Sequence, residues 1–309
     1  MTRKVGVVAA EHIAVGLVDS NEIVGSSRIY PERGTEADYL EGMPTEEIVQ
    51  HIARQIEIIS EGHEIEAIGI GFPGIIREGV IEESPNLQQT KGQNLERALT
   101  ELLSQRGLNG FVHVLNDADA MAAGIAATHG QLDKVIRVWT LGSGIGFGRY
   151  PQVGGAGENG HSIVTLDSKE RFCGCGGVGH LEGIMGHRAM RLRFLDMEPE
   201  EVFDHARTGD ERCGAFVKLW HRALAAATAT SIHLDGPGKF FVSGPNARFI
   251  QTGTLQLYLQ EMVKMSPLQG STIEVVSTSD EVAIIGAAVS AAHAAQAPGN
   301  GISSPPARG

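Results

Sequence analysis

The stretch Gly157–Gly183, GENGHSIVTLDSKERFCGCGGVGHLEG, concentrates more chemistry than any other part of the chain. Cys173 and Cys175 stand one residue apart, with His161 before them and His180 after. Two thiols and two imidazoles form a donor set that closes a tetrahedral zinc site. Gly174, Gly176, Gly177 and Gly179 let the loop turn tightly enough for all four to converge. C-x-C flanked by histidines rarely arises by chance in a chain with three cysteines, so the spacing predicts a metal loop. Its zinc would be structural. Glu158 and Glu182 lie beside the two histidines. They are either carboxylates held toward the hydroxyls of a ligand or surface acids on a glycine-rich loop.

Outward from the loop, the chain reads as strands alternating with helices around glycine turns, which is an α/β pattern. The apolar run 4–18 followed by Asp19-Ser20-Asn21 predicts a β-hairpin, and TEEIVQHIARQIEIIS (45–60) a helix. AIGIGFPG (67–74) is a buried strand, 93–105 a helix, and FVHVLND (111–117) a strand feeding an Ala-rich helix to about Thr128. The stretch 135–150 reads as strand, glycine turn, strand, and helices then cover 180–194, 199–207, 210–233 and 247–264. Strands at 239–244 and 272–278 and a closing helix at 281–295 complete the pattern.

This division predicts a small N-terminal domain over 1–118 and a larger C-terminal domain over 119–295. The closing helix could pack back on the first domain, and the Gly/Pro/Ser-rich tail 296–309 is expected to be disordered.

A chain of 309 residues, 42% hydrophobic and 20% charged, has the composition of a globular protein with a large core. A net charge of −12 argues against a nucleic-acid surface, which needs a concentrated basic face. No run of about 18 apolar residues is present, so no membrane partner is expected. Three cysteines, two of them in the metal loop, fit a reducing compartment, so a cytoplasmic location is expected.

Asn116-Asp117 falls at a strand-to-helix junction, where α/β folds place ligands. There Asp117 is either a base for a substrate hydroxyl or the cap of the next helix. LGSGIGFG (141–148) is either a simple hairpin turn or a cradle whose backbone N–H groups and Ser143 hold a phosphate.

Together these segments resemble the ROK family of repressors, open reading frames and sugar kinases, over about residues 4–290. The family pattern G-E-x-G-H followed by C-x-C-G-x-x-G-C-x-E is matched at Glu158, Gly160, His161, Cys173, Cys175, Gly176, Gly179 and Glu182. His180 replaces the third cysteine, which implies a Cys2His2 zinc site instead of Cys3His.

The resemblance implies a two-domain actin/hexokinase-like (ribonuclease-H-like) fold and ATP-dependent phosphorylation of a hexose or amino-hexose. Asp117 would be the catalytic base, and Asn116, Glu158, His161 and Glu182 would hold other sugar hydroxyls. Gly74 and Asn86 fall in the family's sugar-side G-x-P-G … P-N-L. Gly142, Ser143 and Gly144 match its second phosphate loop, and Gly244 its adenosine-side glycines. The resemblance also implies a homodimer or homotetramer. The family's repressors carry an added DNA-binding domain, and a repressor is not expected from this acidic chain that begins at the first strand.

The first phosphate loop departs from the family. Where the pattern is D-x-G-G-T-K, the chain has Val7, Ala9, Ala10 and Glu11 in place of the aspartate, both glycines and the threonine. A Mg²⁺ ligand is lost and Cβ atoms narrow the turn. Like charges 4 Å apart at an effective dielectric near 20 cost about 4 kcal/mol, so Glu11 beside a triphosphate would be costly. Three readings follow: a Mg-ATP-dependent sugar kinase with a compensated loop, a sugar-binding relative that no longer transfers phosphate, and a protein using Asp117 for other sugar chemistry or another donor.

Overall fold

The computed structural model describes residues 3–32, 39–152, 157–277 and 279–297. The expected disordered tail lies, from residue 298 on, outside the described residues. The elements run β1 (Arg3–Ala9), β2 (Ile13–Asp19), β3 (Glu22–Tyr30), α1 (Thr45–Ser60), β4 (Ile65–Phe72), β5 (Ile75–Arg77), β6 (Val80–Glu83), α2 (Leu95–Gln105), β7 (Phe111–Asn116) and α3 (Asp117–Thr128). They continue with β8 (Ile136–Leu141), β9 (Ile145–Tyr150), α4 (Glu182–Met185), α5 (His187–Arg193), α6 (Pro199–Arg207), α7 (Glu211–Asp235), β10 (Lys239–Ser243), α8 (Thr252–Met262), β11 (Thr272–Val275) and α9 (Asp280–Gln296). Short 3₁₀ turns lie between several of them.

The chain forms two compact units, one from residues 1–132 with 279–309 and one from 133–278. The boundary therefore falls after α3 and not at residue 118. The reason is packing of small residues. A Cβ on Gly124 of α3 would lie 1.8 Å from the Val282 carbonyl oxygen, and one on Gly286 of α9 1.8 Å from that of Ala120. The two helices thus meet backbone to backbone, and the residues of α3 stay with α9.

In the first unit a mixed sheet has the order β3-β2-β1-β4-β7, antiparallel at the β1–β2–β3 edge and parallel across β1, β4 and β7. Ile52 and Ile56 of α1 and Leu99 and Leu103 of α2 cover one face with Val5, Val7 and Ile70. Ile284 and Ala288 of α9 cover the other with Ala14 and Val18. Truncating such a fully buried leucine or isoleucine to alanine costs about 2–5 kcal/mol.

The expected single strand over 4–18 is in fact two strands. The chain reverses at Ala10–His12, where the Ala10 N–H donates to the His12 carbonyl at 3.2 Å. Ser20 and Asn21, both with positive φ, make the second reversal.

The second unit holds a sheet of order β11-β10-β8-β9, parallel except at the β8–β9 hairpin. Trp139, Trp220, Phe240 and Leu224 fill its core. Arg137 is buried, with its guanidinium donating to the Gly236 carbonyl at 2.8 Å and stacked over Phe240 at 4.5 Å. It closes the C-terminal end of α7, where a cation complements the helix dipole. Among the described residues, no helix is long and apolar enough to cross a membrane.

Candidate functional site

Asp117 opens α3 directly after β7. Asn116 is the cap: its Oδ1 accepts from the N–H groups of Ala118 at 2.9 Å and Asp119 at 3.3 Å. Its Nδ2 donates to the Gly74 carbonyl at 3.0 Å, so Gly74, Asn116 and Asp117 form one group. Gly74 has φ +112°, and a Cβ there would lie 2.2 Å from the Glu83 carbonyl oxygen. Asp117 itself accepts from the Ala118 N–H at 2.9 Å. Desolvation pushes its carboxyl above the usual aspartate range, with a smaller push from the charge of Glu11, against the lowering effect of its backbone hydrogen bonds. Asn86 is exposed after β6, and no hydrogen bond joins it to the Asn116 group.

The β1–β2 turn places Glu11 in solvent. The neighbouring His12 Nε2 lies 2.9 Å from Asp280 Oδ2, and this hydrogen bond raises its pKa. Val7 is fully buried and pairs with Val15, so the position where a metal-binding acid was sought is a core position.

In the second unit the four sequence-selected ligands come together. His161 Nδ1 lies 3.4 Å from Cys173 Sγ, the two sulfurs are 3.3 Å apart, and Cys175 Sγ lies 3.2 Å from His180 Nδ1. All four atoms fall within 4.8 Å of one another. Bonds of about 2.0–2.3 Å in a tetrahedron imply ligand separations of roughly 3.3–3.8 Å, so the donor set and its spacing fit zinc.

Burial pushes the Cys173 thiol up to about 12, a cost that a bound cation would offset on ionisation. Burial also lowers the His180 pKa, which favours the neutral imidazole that a metal needs. A Cβ at Gly177 would lie 2.0 Å from the His180 ring, so this glycine makes room for the fourth donor.

His161 serves two directions. Its Nδ1 faces Cys173 while its Nε2 lies 3.9 Å from Glu158 Oε2. Glu182 links the loop to the glycine turn: Oε2 accepts from the Ile145 N–H at 3.1 Å, and Cys173 Sγ lies 3.5 Å from Oε1. At that turn the Gly142 carbonyl accepts from the His187 N–H at 3.0 Å and from Asn246 Nδ2 at 3.2 Å. Gly244, at φ +98°, packs against Leu141, where an added Cβ would lie 2.4 Å from the carbonyl oxygen. The nucleotide candidates Gly142, Ser143, Gly144 and Gly244 therefore share one end of the β8/β10 pair. Asn246, which ties them together, was not singled out from the sequence. Its only local signal is its place just after the Gly244-Pro245 turn.

Two α/β units, each with a mixed sheet, are the architecture of the actin-like fold seen in ROK hexokinases. The chain belongs to the ROK family, whose model matches residues 7–294. It is 29% identical over 255 residues to a glucokinase of Pyrobaculum calidifontis, covering 78% of this chain and 83% of that one. The ROK hexokinase of Thermus thermophilus superposes with a TM-score of 0.76 at 24% identity, over 95% of this chain and 99% of that one. A ROK glucokinase of Streptomyces griseus, solved with glucose and AMPPNP, gives 0.69 at 24% identity, over 94% and 99%.

Proposed function

We propose that the protein is an ATP-dependent hexose kinase. The observation that carries this reading is Asp117, an acid of raised pKa at the head of α3 with Asn116 and Gly74 fixed around it. A base nearer neutrality accepts a proton more effectively at working pH. The sugar's primary hydroxyl oxygen attacks the γ-phosphorus, its proton passes to Asp117, and the bond from phosphorus to the ADP oxygen breaks. Asn116, Glu158, His161 and Glu182 are assigned to the remaining hydroxyls, with Gly74 and Asn86 on the same side. Ser143 and the neighbouring glycines are assigned to donor phosphates, whose charge Mg²⁺ offsets when bound. His161, Cys173, Cys175 and His180 would hold zinc, which fixes the loop and takes no part in transfer. The glucokinase similarity supports the substrate class.

A second reading has its own support. The β1–β2 turn, with Val7 buried, Glu11 exposed and His12 tied to Asp280, suits a sugar-binding relative that no longer transfers phosphate. ADP release from Mg-ATP across a panel of hexoses and amino-hexoses, in zinc-replete protein with Asp117→Asn as control, separates the two. Sugar-dependent release abolished in the variant establishes the kinase. Sugar binding without release establishes the second reading.

A further inference from the structure

A cavity of about 690 Å³ opens in the second unit beside the glycine turn. Ser143 stands at one end of it, and α5 with the segment after it forms the wall. The lining combines His187, Arg188 and Arg191 with Leu192, Leu195 and Met197. The carboxylates Asp196, Glu198 and Glu201 line it as well. Leu195 is 87% exposed and Leu192 48%, so both offer apolar surface at the cavity's edge.

The cations of this wall are not equivalent. Arg191 is paired with Glu198 at 3.2 Å, and Arg193 with Glu170. Arg188 is exposed and makes no hydrogen bond or ion pair with any described residue. Its Nη1 lies over Gly174, where an added Cβ would be 3.4 Å away, so the missing side chain leaves the guanidinium room. The Ser143 and Gly144 N–H groups and the Ser143 hydroxyl likewise have no partner among the described residues. The free N–H and hydroxyl of Ser143 and an unpaired guanidinium on one cavity, with the Gly144 N–H next in the turn, are complementary to a phosphate chain.

Resting on the kinase reading above, we propose that Arg188 is a donor-binding residue. With Arg191 taken up by Glu198, it supplies the cavity's unpaired cation, on the Ser143 side, for the phosphates of a nucleoside triphosphate whose base lies along Leu192 and Leu195. The assignment explains how a chain with glutamate in its β1–β2 turn retains a triphosphate donor: the positive charge comes from α5.

Calorimetric titration of zinc-replete full-length protein with Mg-ATP and with inorganic tripolyphosphate tests it, together with zinc content and the sugar-dependent KM for ATP. Arg188→Gln should weaken both ligands by about tenfold, the size of one lost charge-assisted contact, and Arg188→Lys should recover part of it. Leu195→Ser should weaken Mg-ATP and leave tripolyphosphate unchanged. Wild-type affinity of Arg188→Gln for both ligands, or no binding of either by the parent protein, overturns the proposal. Loss of zinc in both Arg188 variants also overturns it, by assigning the residue to the metal loop.

The two readings fail separately. Sugar-dependent ADP release with the same KM for ATP in parent and Arg188→Gln removes the groove and leaves the kinase. Absence of release, with tripolyphosphate binding that depends on Arg188, removes the kinase and leaves the groove.

Discussion

The loop from Gly157 to Gly183 and the turn from Ala9 to Ile13 have opposite characters. In the loop the four donors sit against one another and their neighbours: His161 against Cys173, Cys173 against Cys175, Cys175 against His180, and the His180 ring in the space that Gly177 leaves. A change at one position there disturbs the others. The turn has no such mutual dependence. Its backbone closes on itself through Ala10 and His12, its apolar residues belong to the core, and its polar side chains face Asp280 or solvent. A cluster of two cysteines and two histidines works only if all four side chains converge at once. A turn that only offers backbone to a ligand can become an ordinary hairpin without loss of fold.

The largest expected effect lies outside both regions, at Asp117, the base of the proposed reaction. Asp117→Asn should lower phosphate transfer by about 10²–10⁴-fold, the usual contribution of a positioned base. It should also raise the melting temperature at neutral pH. The folded-state pKa of Asp117 lies above its unfolded value, so the charged form costs stability as pH rises from the unfolded value through the folded one. Melting curves at pH 4 and pH 8 should show the variant's advantage only at the higher pH.

Next comes the loop itself. Cys175→Ser should reduce zinc from about one per chain toward zero, with sugar affinity falling at least tenfold. Zinc retained in that variant would break the comparison, because the four donors would then not act as a unit. Gly177→Ala should cost about 1–3 kcal/mol of stability through overpacking against His180, whereas Ala10→Gly in the turn should change it by less than about 1 kcal/mol. Chemical denaturation of both variants compares the two regions directly.

Smallest are the histidines. His221 is buried; its Nδ1 donates to the Val217 carbonyl at 2.8 Å, and its Nε2 accepts from the Gln251 N–H at 2.9 Å. Burial lowers its pKa, so its contribution is present above the unfolded value, about 6.5, and is lost as pH falls below it through the folded one. His12 has the opposite sign. Asp280 raises its pKa, so that pair stabilises below the unfolded value and fades as pH rises through the folded one, by about 0.5 kcal/mol for a partly exposed pair. Stability measured from pH 5 to 9 for His221→Gln and His12→Gln should show these opposite slopes.

Legibility followed the range of the interactions involved. The convergence of His161, Cys173, Cys175 and His180 was readable because the four residues lie within twenty positions of sequence. Helix α1 was readable because an amphipathic repeat specifies it locally; Thr45 is its first residue, and the Thr45 hydroxyl donates to the Gln89 carbonyl. The β5–β6 hairpin escaped notice because three- and four-residue strands carry too little periodicity. The reversal at Ala10–His12 was hidden by alanines that continue the apolar run. The unit boundary was hidden because α3 is claimed by α9, more than 150 residues away in sequence. The predicted helix over 180–194 splits at Gly186, whose ψ of 142° ends one helix and caps the next. Arg188 gave no sequence signal, since an unpaired arginine on a helix is recognised only once its neighbours are known.

The most direct test of the comparison is the KM for ATP of Glu11→Thr against the parent, measured at saturating sugar. If the β1–β2 turn and not the metal loop limits the donor side, the variant should bind ATP about tenfold better, roughly 1.4 kcal/mol, with the sugar KM unchanged. Identical ATP KM values in the two proteins would contradict the account.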